Sequence, residues 1–525
     1  MLAGMLLGPA ALAQLGLPPV PAENPITEPK RLLGKALFWD EQLSSDSTMA
    51  CGTCHIPSAG GADPRAGAKA VNPGADGIVG TRDDLFGSLG VRRQNPDQEF
   101  IPDEVFGFQT QVTRRAATSV IGAAYLDELF SDGRATSRFV NPETGQILIE
   151  SGGALESQAL GPILSTGEMA CDGRSWDDVR VKLEEARPLA LAWDLPPDLQ
   201  NALVGVEAYP ELFAEAFGDP DITPTRIAFA IATYERTLTP NRAPVDSYLS
   251  GNLEALTENQ IDGFDAFWGA EARCIACHLP PLFSDGSYRN IGRRPIIEDE
   301  GRAEVTGDPA DRGKFKVPSL RNAGLRTTFF HDGQAGSVLD TMLFYNQGGS
   351  AHPENVDPDV LPISMTPRML HSVTDFVENA LTDPRVAAEQ PPFDRPKLHS
   401  EQPLANPELL PGETPGSGGH APDLIALSPP HTGSPDFKIG IFNGLGGARA
   451  ILAASLGAPG SARWARIGRS TLVGSGAGQG YATIGMPIPL DPALVGLELW
   501  LQAWVVDPGA AGGFALSPVA HLTLF

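Results

Sequence analysis

The sequence predicts a mainly α chain: two helical domains, each carrying one Cys-x-x-Cys-His motif, followed by a small all-β, sandwich-like C-terminal domain. Three observations carry this. Helix-start signals followed by one-sided apolar repeats surround both motifs. The texture then changes past Asp383, where residues 389–436 are rich in Pro, Gly and Ser and read as a linker. Beyond that come short β-type runs, Phe437–Phe442, Leu497–Val506 and His521–Phe525, separated by Gly/Pro turns. The predicted division is 1–13, 25–240, 241–388, a linker 389–436 and a β-rich module 437–525.

Residues 1–13 hold the apolar run Leu2–Leu7 and then Ala11-Leu12-Ala13, the pattern of a secretory signal cleaved after Ala13, although a basic leader is missing. The run is too short, and too close to Pro9, to span a bilayer. A periplasmic or secreted chain with no membrane span is the expectation. Helices follow at Thr223-Pro224, with Ile227, Ile231, Tyr234 and Leu238 on one face, and at Thr257, where Gln260 completes a capping box. Another opens at Thr366-Pro367 and runs through Leu370, Val373, Phe376 and Leu381. These stripes are read as core. The loop from Gly60 to Pro102 contains Asp76-Gly77 and Asp83-Asp84, and is read as a solvated turn cluster in preference to a Ca²⁺ loop.

Four of the five cysteines sit in Cys51-Gly52-Thr53-Cys54-His55 and Cys274-Ile275-Ala276-Cys277-His278. This spacing lets two thiols add across the vinyl groups of a haem and pins the next histidine beneath the iron, so two c-type haems are predicted. A four-thiolate zinc site or redox disulfides are the alternatives, but neither explains a histidine at the same offset after both pairs. Cys171, the fifth, reads as a buried thiol.

The net charge of −26 argues against nucleic acid and anionic membranes as partners. Residues 420–525 hold five acidic and five basic residues, so the whole surplus lies on residues 1–419. An electron-donor protein with a basic face, a small cytochrome or a cupredoxin, would be steered there. No partner for the β module is named by the sequence.

The ordered motifs Leu33–Asp40, the first Cys-x-x-Cys-His, Asp132-Gly133-Arg134-Ala135, Gly167-Glu168-Met169, the second Cys-x-x-Cys-His, Lys316–Asn322 and His331-Asp332-Gly333 resemble the bacterial dihaem cytochrome c peroxidase superfamily. That superfamily includes MauG, which oxidises protein tryptophans. The resemblance covers roughly residues 30–385 and implies two cytochrome c-like helical haem domains, with peroxide reacting at the first haem and electrons relayed by the second. It implies Cys51, Cys54, Cys274 and Cys277 as attachment residues, His55 and His278 as iron ligands, and Glu168 as the catalytic acid-base on the far side of the first haem. No histidine occurs between His55 and His278, so the first haem is expected open or weakly ligated, with Met49 and Met169 as the other candidate ligands.

Fourteen residues after His331 stands Tyr345, as in the MauG-like branch, where the classical peroxidases have methionine. Phenolate ligation favours ferric and higher-valent iron; Met342 is the competing ligand. Two features depart from the pattern. Ser131 replaces the tryptophan that lies between the haems, leaving Trp39 or Trp268 as other routes for electrons. The interdomain Ca²⁺ site has Arg115 at its asparagine position and Thr328 at its proline, which weakens the expectation of that ion.

The predicted activity is reduction of hydrogen peroxide at the first haem with electrons passed through the second. Its rivals are a MauG-like oxidase acting on a protein or organic substrate, and a non-catalytic dihaem electron-transfer protein.

Overall fold

The computed structural model describes residues 15–67, 69–349, 352–402, 407–460 and 463–525, so the expected signal segment 1–13 lies outside the described residues. The first domain is built on two helices. α1 (Glu28–Trp39) starts with Pro29 in its first turn, and it packs against α4 (Pro224–Glu235) so closely that Gly34 meets the Ala230 carbonyl. Between them in sequence come the short α2 (Cys51–Cys54) and α3 (Ala154–Leu160). The Thr223 hydroxyl accepts the Arg226 N–H at 3.2 Å and so caps α4 where the sequence placed a helix start.

The second domain is organised by α5 (Glu258–Trp268), α6 (Val338–Asn346) and α7 (Pro367–Asp375). Thr257 and Gln260 close the capping box on α5 at 3.2 and 3.1 Å. Phe267, Phe283 and Phe376 meet edge to face in its core, with ring centroids 5.5 to 6.1 Å apart.

The chain is not mainly α. Helix accounts for 29% of it and strand for 19%, distributed over several sheets. Two physical reasons explain the error. The haem-domain helices are short, four to twelve residues, and the Gly/Pro-rich loops between them pair into two-stranded ribbons such as β1 (Leu89–Arg92) with β2 (Thr110–Val112). The C-terminal region also recruits strands from the stretch read as linker: β3 (Glu408–Leu410) and β4 (Asp423–Ala426) both lie inside 389–436. Short edge strands flanked by Pro and Gly leave almost no alternation to read.

The remaining strands are β5 (Lys438–Gly446), β6 (Arg449–Ser455), β7 (Ala465–Thr471), β8 (Gly476–Gly485), β9 (Glu498–Val506), β10 (Phe514–Leu516) and β11 (Val519–Thr523). They form two antiparallel sheets, β4-β5-β8 and β7-β6-β9-β11-β3, with β10 paired to β9. Ile439, Ile441 and Ile484 of the first sheet share one buried cluster with Leu452, Leu501, Val505 and Leu522 of the second. This domain leans on the first haem domain through an aromatic group: Phe108 lies 4.8 Å from Phe100, 5.1 Å from Phe442 and 5.4 Å from Tyr481.

The registration of α3 on α4 rests on an enclosed ion pair. Arg236 holds Glu156 with two hydrogen bonds of 2.6 and 2.8 Å, their side chains 1% and 0% exposed, and Asn24 donates to the same carboxylate at 2.8 Å. Removing one partner leaves the other charged and dry. Glu156→Ala is therefore expected to cost about 3–5 kcal/mol, read from urea unfolding followed by circular dichroism; a loss under about 1 kcal/mol would mean that water reaches the pair.

Candidate haem sites

In the first domain, α2 is anchored where Thr53 accepts the Ala50 N–H at 2.8 Å. Gly52, between the two cysteines, faces the Trp39 ring so closely that no Cβ fits. Trp39 itself is fixed by donating from Nε1 to the Tyr234 hydroxyl at 2.9 Å. The His55 ring meets the Gly61 carbonyl with Nδ1 at 3.0 Å. A carbonyl can only accept, so Nδ1 carries the hydrogen and Nε2 is left with its lone pair, the arrangement of an iron-ligating histidine. Burial pushes the His55 pKa down, favouring this neutral form.

Cys51, Cys54 and His55 open onto a cavity of about 410 Å³, whose wall also includes Met49, Glu168 and Met169. Glu168 arrives from a rigid turn: Met169 and Ala170 donate their N–H groups to the Ser165 carbonyl at 2.9 and 3.0 Å. The Glu168 carbonyl accepts from Val91 N–H at 3.1 Å, and Gln111 donates to Thr166 O at 2.7 Å, tying the turn to β1 and β2. Gly90 of β1 touches the Gly167 carbonyl too closely for any Cβ.

The second motif repeats the histidine arrangement. His278 places Nδ1 3.0 Å from the Phe283 carbonyl, and its pKa is likewise lowered by burial. Tyr345 on α6 faces this motif: burial first, then the Cys277 and Cys274 sulfurs, push its phenol well up. Its neighbour one turn back, Met342, is buried in the cluster containing Val338 and Phe376. Cys274 packs against that same cluster, while the Tyr345 ring meets Phe344 and Phe330 at 5.3 and 6.4 Å, so both candidate ligands stay near the second motif.

The residues present fit two covalently held haems. All five cysteines are unpaired, and each motif packs against its own core, Cys51 on the first and Cys274 on the second, which leaves no disulfide and separates the pairs. Burial pushes Cys54 and Cys274 up to about 12, so as free thiols they are poor nucleophiles. Among the buried polar atoms that have no partner among the described residues are Glu235 Oε2, on the first cavity wall, and Trp268 Nε1, which packs on the same core as Cys274. Both are polar atoms that a bound haem or its waters would reach. Cys171 is buried, and its thiol is raised by that burial.

Two residues of the first site gave no sequence signal. Arg65 reaches Cys54 Sγ at 3.4 Å and the Leu89 carbonyl at 3.2 Å while paired with Asp63 at 2.9 Å. Glu235, its carboxyl raised to about 8 by burial, lies on α4 amid the apolar stripe. Neither position has a spacing relation to a motif. Trp39 and Trp268, the tryptophans singled out as electron routes, each stay inside their own domain's core, while Ser131 lines the first cavity and accepts the Lys316 N–H at 2.8 Å.

The acidic loop spends its carboxylates on turns. Asp83 accepts from Asp76 N–H and Thr81 Oγ1 at 3.0 and 2.6 Å, and Asp84 accepts from Gly80 N–H at 2.7 Å. Among the described residues no group of three or more His, Cys, Asp or Glu side chains is placed to hold a metal ion. No helix among them is long and apolar enough to cross a membrane.

Residues 28–254 match the family described as di-haem cytochrome c peroxidase. The chain is 28% identical over 436 residues to the cytochrome-c peroxidase IdrP1 of Denitromonas iodatirespirans, covering 76% of this chain and 93% of that one. It is 29% identical over 369 residues to the methylamine utilization protein MauG of Methylorubrum extorquens, covering 70% and 82%. A solved MauG-like protein associated with microbial copper homeostasis shares the fold, with a TM-score of 0.51 at 23% identity over 72% of this chain and 96% of that one. The resemblance carried by the motifs therefore holds, and with it an oxidoreductase of dihaem peroxidase-family function with two c-type haems.

The close approach of Gly90 to the Glu168 turn is directly testable. Gly90→Ala forces β1 and the turn apart, and is expected to cost about 1–3 kcal/mol in stability. It should slow the reaction with peroxide in stopped-flow traces while leaving haem content unchanged. Unchanged kinetics would separate Glu168 from the reaction.

Proposed function

We propose that this relative of the di-haem cytochrome c peroxidases and of MauG works outside the cytoplasm, taking hydrogen peroxide into the His55 cavity and drawing the two electrons through the His278 site. The observation that carries the reading is the convergence on one cavity wall of Glu168 with Cys51, Cys54 and His55. Haem iron, when bound, supplies the binding of peroxide and the electron chemistry.

The chain's own residues do the rest. The Gly61 carbonyl holds His55 in the tautomer that presents Nε2. Glu168 takes a proton from the near oxygen of hydrogen peroxide and returns it to the far oxygen as that leaves as water. Two electrons and two further protons then complete the conversion of one peroxide to two waters. Glu168 suits the task because its side chain is half-buried and has no hydrogen-bond partner among the described residues, so its oxygens are free to exchange a proton with substrate. Electrons come from a small donor protein attracted by the acidic surface of residues 1–419.

A second reading, oxidation of a protein or organic substrate with the same peroxide equivalents, is favoured by Tyr345. Its hydroxyl lacks a hydrogen-bond partner among the described residues, and burial, then the charge of Cys277 and Cys274, raise its pKa. A phenolate at that place stabilises oxidised iron and suits storage of oxidising equivalents over their prompt reduction.

Optical and EPR spectra of the ferric protein, before and after one equivalent of hydrogen peroxide, test the proposal. A high-spin signal is expected to vanish with peroxide, and about 10²–10⁴-fold more slowly in Glu168→Gln. Two low-spin haems indifferent to peroxide would leave an electron carrier. Tyr345→Phe is expected to change the spectrum of the second haem and Met342→Leu to leave it unchanged; the opposite result would assign the ligand to Met342.

A further inference from the structure

The resemblance implies a calcium ion between the two haem domains, and the structure puts guanidinium groups there. Arg115, at the expected asparagine position, is fully engaged. It donates to Asp132 at 2.5 Å in the first domain, and to Asp299 at 2.5 and 2.8 Å and Glu304 at 2.9 Å in the second. The Thr328 backbone carbonyl, at the expected proline position, accepts from Arg326 Nε at 3.3 Å. The same guanidinium donates from Nη2 to the Ala117 carbonyl of the first domain at 3.1 Å. Arg326 has no acidic partner among the described residues, so its charge is met by main-chain carbonyls alone.

Calcium needs six to eight oxygen ligands at 2.3–2.6 Å. Here one ligand position carries a fixed positive charge, and the carbonyl at another is occupied by a second. A divalent ion introduced among them would meet two cations at short range in a poorly solvated place, where like charges repel strongly. Desolvation lowers the Arg326 pKa to about 10, which still leaves it charged at neutral pH.

We propose that Arg326, supported by Arg115, is the interdomain cation of this protein: one guanidinium bridges carbonyls of both domains, and the chain neither needs nor binds calcium there. The arrangement also touches the first site. Arg326 packs beside Gly60, next in sequence to the Gly61 carbonyl that orients His55.

The test uses the full holoprotein, purified without chelator. Calcium content by atomic emission, calorimetric titration with calcium chloride, and the thermal midpoint with and without millimolar EGTA are measured together. Substoichiometric calcium, no binding heat and a midpoint unmoved by EGTA are expected. One calcium per chain, or a midpoint that falls in EGTA and recovers with calcium, overturns the proposal. Arg326→Ala is expected to lower the midpoint by about 4 °C or more, and to shift the EPR signal of the first haem, whereas Arg326→Lys, which keeps the charge but not the fork, recovers part of the loss. A midpoint and an EPR signal unchanged in Arg326→Ala would equally overturn it.

Discussion

Two crossed backbone hydrogen bonds set how the haem domains face each other. Lys316 N–H donates to the Ser131 carbonyl at 2.8 Å, and Ala116 N–H donates to the His331 carbonyl at 2.9 Å. The two bonds are counterparts, because the segments that make them repeat two hundred positions apart. Phe130 and Phe330 both sit at φ 63°, and Gly133 and Gly333 both have positive φ. Leu129 pairs with Ala135 as Phe329 pairs with Ala335, and Asp132 and Asp332 each accept the N–H two residues on at 3.1 Å. Each domain thus closes the same turn with an aspartate and hands the preceding carbonyl to its neighbour. Ser131, whose carbonyl takes the Lys316 N–H, also lines the first cavity, so the interface bond ends on that cavity's wall. The His-Asp-Gly motif has the same interfacial role: His331 stacks on Phe315 at 3.6 Å, and burial lowers its pKa to about 4, so it sits there neutral.

What could be read from sequence divides along range. Cys-x-x-Cys-His is a local covalent device, and the histidine clamps are local too, His55 on Gly61 and His278 on Phe283. Glu168 was legible only through resemblance, since its place on the cavity depends on β1, β2 and the contact at Gly90, none of which has a periodic signature. Capping signals at Thr223, Thr257 and Thr366 marked real helix starts because a cap needs only three or four residues of context. The fold class failed for the converse reason. Ribbons such as β1–β2 and edge strands such as β3 and β4 are held by partners far away in sequence, and their residues look like loop. The two-hundred-residue repeat was present in the sequence as Phe130, Asp132, Gly133, Ala135 and Ser137 against Phe330, Asp332, Gly333, Ala335 and Ser337, but so short a match at so long a spacing does not announce itself.

The β domain is joined to the core by more than its connecting chain. Phe100 N–H donates to Thr483 Oγ1 at 2.8 Å, and Gly440 leaves space filled by the Phe100 ring. On another face the Glu41 carboxylate receives the N–H groups of His399 and Ser400 at 2.7 and 3.1 Å, and the His399 ring stacks on the C-terminal Phe525 at 4.4 Å. Glu41 lies just after α1, the helix that carries Trp39 beneath the first motif. The segment read as a linker is therefore packed at its start against the frame of the first Cys-x-x-Cys-His motif, and a domain without cysteines helps hold the motif that has them.

Communication between the haem sites follows from the same geometry. The tryptophans are spent on local packing, Trp39 against Gly52 and Tyr234, and Trp268 against Phe264 at 5.9 Å. The bonded route that does cross the interface starts at His278 Nδ1 and passes the Phe283 carbonyl. It continues from Ser284 Oγ to the Val317 carbonyl at 2.7 Å and ends where Lys316 N–H meets Ser131 on the cavity wall. It is built of main chain and hydrogen bonds, and an aromatic ring stands beside the crossing: Lys316 Nζ lies 4.5 Å over the Tyr288 ring, whose hydroxyl donates to Glu128 of the first domain at 2.7 Å. A tyrosine in that place is a side chain that can itself be oxidised, whereas Ser131 is not at comparable potentials.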